Sequence, residues 1–231
     1  MKILSCGLLL AILLAGCQAQ PRGPVDEYLT RAPTDQPAPW PESARHYLID
    51  GQASKLRIVV MPAGTLARFG HPHVIGGPVL AGEIALAEPF SDSALRLTID
   101  VNQLVVDKPD WRIAEGFDPE LPESAIADTR ENMLSAAVLD AASHPSILIE
   151  STGLTGPPWQ SDIALRVSLR GVARELTVPV AVSVSEHELV ATGRLVLNQS
   201  DFGIEPFSAL GGALAVADRL MIRFRIVAFE E

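Results

Sequence analysis

The chain has 231 residues, with 18 Lys+Arg against 28 Asp+Glu and a formal charge of −10. Its hydrophobic fraction is 48% and its aromatic fraction only 5%, so the apolar bulk is Leu, Val, Ile and Ala. That composition argues against disorder and for one large β domain, while the acidic balance argues against nucleic acid as a partner.

Residues 1–16 read as a signal peptide. Lys2 supplies a positive start, and Ile3–Leu14 is an apolar run too short for a comfortable membrane span. The run ends Leu14-Ala15-Gly16-Cys17. This resembles the lipobox of bacterial lipoproteins, in which small residues precede a cysteine that takes a diacylglyceryl group before cleavage. An ordinary signal peptide or an uncleaved anchor is the alternative. By the resemblance, Cys17 is the lipid attachment site, and Gln18 after it implies the outer membrane, facing the periplasm. Cys6 then leaves with the leader and Cys17 becomes a thioether, so no thiol remains for a disulfide, a metal or a nucleophile. Residues 17–44 hold Pro21, Pro24, Pro33, Pro37, Pro39 and Pro41 among polar residues, the composition of a semi-extended tether. Trp40 in it either docks on the following domain or stays exposed.

The folded domain is expected over 45–231. Tyr47 and Ile49 open a strand, and Leu56, Ile58 and Val60 alternate in the next. Segments with the same period follow at Leu80–Leu86, Leu95–Val101, Ile163–Leu169, Leu176–Val184, Leu189–Leu197 and Leu220–Ile226. Gly171 marks a turn, and Pro179 suggests an edge or a bulge. About eight strands, each with one apolar face, predict a single closed antiparallel β-barrel or a sandwich.

Between these strands, Asp128–Thr152 carries one amphipathic helix. Asp128 stands at an N-cap position with Glu131 three residues on, and Met133, Leu134, Ala137, Val138 and Ala141 follow helical spacing. Pro145 ends the helix, and from Ser146 the period drops to two, with Ile147 and Ile149 on one face. Such a helix is expected to plug or cover the barrel. The Asp107–Glu123 stretch, with Trp111 and Phe117, is long for a loop and reads as a mouth lid or a passive surface loop.

An eight-stranded barrel either fills with side chains or holds one small ligand. Ala191, Gly82 and Gly193 fall in inward series and leave volume unfilled. The candidate lining comprises Leu56, Ile58, Val60, Ile84, Leu97, Ile99, Leu165, Val167 and Leu195 on the strands, with Met133, Leu134 and Val138 on the helix.

From Tyr47 to Phe229 the chain resembles the YceI-like family, periplasmic lipocalin-like barrels that bind long polyisoprenoid lipids. The matching stretches are Tyr47-Leu48-Ile49-Asp50, Gly70-His71, Thr129-Arg130-Glu131-Asn132-Met133-Leu134, and Val138-Leu139-Asp140-Ala141 before Pro145. They continue with Leu169-Arg170-Gly171-Val172, Ala191-Thr192-Gly193 and Asn198-Gln199-Ser200-Asp201-Phe202-Gly203-Ile204. The resemblance implies an elongated lipocalin-like barrel around an isoprenoid tail, with no resident cofactor beyond a bound isoprenoid lipid or quinone. The lipobox, the tether, the His71-Pro72-His73 sequence and the Asp107–Glu123 loop depart from the family's simplest members.

His71 and His73 would share a face on a strand and could hold a polar headgroup or, with His144 or His187, a metal. No ligand spacing links them to a third histidine, and no metal is expected. Ser200-Asp201 with His187 lacks the surroundings of a triad, and Asp118 with Glu120 reads as a solvated loop pair. No catalytic residue is assigned. The expected function is storage or transport of a long apolar lipid by a membrane-anchored lipoprotein that is not an enzyme. The alternatives are a metal-dependent periplasmic enzyme using His71 and His73, or a structural lipoprotein with a filled barrel.

Overall fold

The computed structural model describes residues 40–231. The leader, Cys17 and most of the tether lie outside the described residues. Trp40 does lie within them, and it docks on the outer wall. The Arg96 guanidinium sits 4.8 Å from its ring centroid and the His46 ring 6.0 Å away.

The alternating segments form an eight-stranded wall, three of whose strands are broken in two. β1 (Arg45–Ile49) and β2 (Lys55–Ala63) run in the same direction along the last strand, β12 (Leu214–Glu230), with Tyr47 opposite Glu230 and Lys55 opposite Arg225. Between them the Asp50 carboxylate accepts the Gln52 and Ala53 N–H groups, which turns the chain without ending the ladder. β3 (His73–Gly76) and β4 (Leu80–Leu86) return along β2 and β1. β5 (Ala94–Asp100) and β6 (Val105–Val106) go out again along β4 and β3.

The remaining strands form a plain antiparallel meander: β7 (Ser146–Thr155), β8 (Ser161–Leu169), β9 (Val172–Val184) and β10 (Glu188–Asn198), then β12. Because β12 also pairs with β1, the sheet closes on itself. Closure leaves neither edge of the meander exposed. A short β11 (Ser208–Ala209) adds to the start of β12. The fold is thus a closed antiparallel lipocalin-like barrel. Pro179 faces Asp162 on β8, and the pairing of β9 with β10 begins only at Val180, so a residue without an N–H sits where one ladder stops.

The helical region differs from its sequence pattern. Two α-helices are present among the described residues: α1 (Pro109–Ala114) and α2 (Glu123–Leu134). α2 starts after Pro122 and stops at Ser135, so Asp128 lies mid-helix and Asp128/Glu131 form no capping box. Pro122 keeps the residue before it out of helical geometry, so the helix begins just after it rather than at Asp128. At the exit the backbone turns inward. Leu139 N–H donates to the Met133 carbonyl, Ala141 N–H to the Leu134 carbonyl, and Asp140 takes a left-handed φ of 46°. Val138 and Ala141 therefore reach the interior from turns. Pro145 marks the entry to β7, whose Ile147 and Ile149 face inward as expected, rather than the end of the helix.

The Asp107–Glu123 stretch is no mouth lid. α1 lies against the outer face of β2 and β3, where the Arg57 guanidinium stacks 3.9 Å from the Trp111 ring centroid. Neither Trp111 nor Phe117 borders the interior void. Val59 and Val74, the outward residues under this helix, are buried by it.

Candidate functional site

The barrel is hollow. A cavity of about 560 Å³ runs through it, within the size range of ligand pockets. Its lining is apolar except for His71, His73, Thr129, Asn132 and Gln199, and no ionisable carboxylate, lysine or arginine reaches it. The filled-barrel alternative is therefore overturned.

Each strand contributes alternate residues, which is why the pattern was readable. Leu56, Ile58, Val60, Ile84, Leu97, Ile99, Leu165, Val167 and Leu195 all border the cavity, as do Met133, Val138, His71 and His73. Leu134 does not. One residue on from Met133, it points about 100° round the helix and packs into the surrounding apolar cluster instead. The small inward residues act differently from their expected role. Ala191 does border the void. A side chain at Gly193, however, would meet the Phe224 ring 2.5 Å away, so that ring already occupies its space. Gly82 has φ 140° and lies hard against the Arg96 carbonyl, so it serves a close backbone approach.

The cavity opens where β2 ends and β12 begins. There Phe69 (63% exposed) and Phe207 (44% exposed) border it, together with Met61 and the exposed His71. The two rim segments are tied together by the Leu66 N–H, which donates to the Ala213 carbonyl at 2.8 Å. Sequence reading missed Phe69 and Phe207, since neither belongs to an alternating run.

His73, at the first position of β3, is the one polar lining side chain with an elaborate support. Its Nδ1 lies 2.6 Å from Asp107 Oδ2. Asp107 Oδ1 accepts the Val74 N–H and the Arg112 guanidinium, both at 2.8 Å. Arg112 is buried outright and also donates to the Pro72 and Asp118 carbonyls, each at 2.6 Å. Burial pushes the Asp107 carboxyl up, but the hydrogen bonds from His73, Val74 and Arg112 and the charge of His73 outweigh it and hold it below its ordinary value. An ionised carboxylate only accepts, so Nδ1 carries the proton and Nε2 is the ring nitrogen left for a ligand. Thr129 donates instead to the Ala125 carbonyl within its own helix, and Gln199 to the Ala217 carbonyl.

The other histidines stand apart. His187 faces Glu230 and His144 packs over Gly171. Among the described residues no three His, Cys, Asp or Glu side chains group closely enough to hold a metal. The Ser200 hydroxyl lies 2.6 Å from Asp218, remote from His187 in the fold, so no triad forms.

Comparison with known proteins agrees with this architecture. The family model described as YceI-like domain matches residues 47–228. Among solved structures, BcnA from Burkholderia cenocepacia superposes with a TM-score of 0.59 at 17% identity, covering 78% of this chain and 98% of that one. A YCEI protein from Campylobacter jejuni matches with a TM-score of 0.47 at 12% identity, covering 66% of this chain and 81% of the other. No curated protein matches the chain.

Proposed function

The chain belongs to the YceI-like family, and from that membership and the hollow interior we propose that it binds a long-chain apolar lipid, a polyisoprenoid or an isoprenoid quinone, for storage or transport. The observation that carries the proposal is the cavity of about 560 Å³ with an almost wholly apolar lining and His73 held at its mouth. A tail inside removes apolar surface from water on both sides, at ~25 cal/mol per Å², and fills a void that would otherwise weaken the fold. His73 Nε2 and the neighbouring His71 and Asn132 offer the polar contacts for a headgroup at the open end. Membership of the family and the almost wholly apolar lining favour a binding protein over an enzyme.

The leader and Cys17 support an acylated lipoprotein on the outer membrane, facing the periplasm, with the proline-rich segment as its tether. The test is native mass spectrometry of protein purified from membrane-containing cells. A mass increment that dissociates as an isoprenoid lipid is expected. An apo mass, with no uptake of added isoprenoid quinone, would overturn the proposal.

A further inference from the structure

The main cavity is bounded below by a second void. A small apolar pocket of about 40 Å³, bordered by Leu86, Phe90, Leu154, Val182 and Leu189, lies toward the barrel end opposite the mouth. Four side chains, Ile84, Leu95, Ile163 and Ala191, border both voids. Ile84 and Leu95 are register partners on β4 and β5, whereas Ile163 and Ala191 come from β8 and β10 across the ring. Tyr47, which faces Ile84 on β1, is completely buried beside them. Together these residues make one transverse layer.

We propose that this layer is a floor that sets the longest lipid tail the barrel accepts, an inference that rests on the lipid-binding reading above. Apolar contact is non-directional, so a greasy tube has no attractive means of telling one long tail from the next. Length is discriminated only by steric refusal, because surplus methylenes forced into a packed layer drive side chains from their rotamers. His73 at the mouth and Ile84 at the floor define the ruler. Along β3 and β4 they are separated by a chain path of at most roughly 36 Å, at 3.3 Å per residue. A headgroup held at one end leaves the tail that span and no more. Beneath the floor the 40 Å³ pocket is already empty, so trimming Ile84 or Leu95 joins it to the main cavity. Ala191, the smallest member of the layer, is where added bulk shortens the space.

The full chain is offered an equimolar ladder of linear prenols, each one isoprene unit longer than the last, and occupancy is read by native mass spectrometry. The wild-type protein is expected to show a cut-off beyond which occupancy falls sharply. Ile84→Ala and Leu95→Ala should move that cut-off to longer prenols, and Ala191→Leu to shorter ones. If the trimmed variants fail to fold, Ile84→Val and Ala191→Val must still shift the ratio of the two longest retained prenols in opposite directions. Variants that bind short prenols normally yet keep the wild-type cut-off overturn the floor and leave lipid binding intact. A wild-type protein that takes up no prenol overturns both.

Discussion

His73 shows how much of a site one side chain conceals. Its ring borders the cavity, but what orients it is a carboxylate and a guanidinium with no access to water. Removing one member of such a buried pair strands the other. Asp107→Ala is expected to cost ~3–5 kcal/mol in chemical denaturation because Arg112 is left uncompensated. Since the Asp107 carboxyl is held below its ordinary value in the fold, it binds a proton more readily when unfolded. Its contribution is complete above the unfolded pKa of ~3.9 and is lost as pH falls toward the lower folded value. Asp107→Asn should therefore show a flatter loss of thermal stability on acidification than wild type; identical acid limbs would contradict the assignment. The histidine was visible in the sequence as half of a His-x-His pair, whereas Asp107 and Arg112 sat in a stretch read as a loop. An arginine between Trp111 and Ile113, after a strand-like Val105-Val106, was the only hint that this stretch is packed.

Elements follow the same division. The strands were legible because a period of two survives any change of neighbour, and Leu169-Arg170-Gly171-Val172 was legible as a turn. In the structure Arg170 (φ 52°) and Gly171 (φ 75°) are both left-handed and join directly paired residues Leu169 and Val172, the geometry of a two-residue hairpin. Arg170 also clamps the exit of α2, donating to the Ala136 and Ala137 carbonyls. Gly171→Ala should destabilise the protein by about 1–2 kcal/mol, because a side chain is disfavoured at that φ and would also stand 3.1 Å from the His144 ring. Urea unfolding that shows no loss would remove that account of the turn. The helix was misplaced for an opposite reason. Met133, Leu134, Val138 and Ala141 are apolar at helical spacing, yet only the first two lie on α2. The later two are apolar because the turns carrying them also face the core, a demand that periodicity alone cannot separate from helix.

At the scale of the whole molecule, closure is what makes a cavity. β12 spans 17 residues and pairs with β10 on one side and with both β1 and β2 on the other, so a single strand completes the ring. Inward side chains then face one another across a space they do not fill. A ligand bound only by the folded state stabilises it by RT ln(1 + [L]/Kd), about 2.7 kcal/mol at a hundredfold excess over Kd. Protein stripped of lipid should melt at a lower temperature than protein as isolated, and added isoprenoid quinone should restore the difference. Equal melting temperatures before and after stripping would count against an interior ligand.

The amino-acid sequence by itself indicated about eight strands, the inward face of each alternating segment and the apolar character of whatever lies inside, because alternation is a local consequence of backbone geometry; the short β3 and β6 left no such period. Only the tertiary structure decided that the interior is open rather than filled, that α1 shields the outer wall, and that Asp107 reaches His73 from 34 residues away. Those outcomes depend on volumes and contacts between segments far apart in the chain, to which no local period is sensitive.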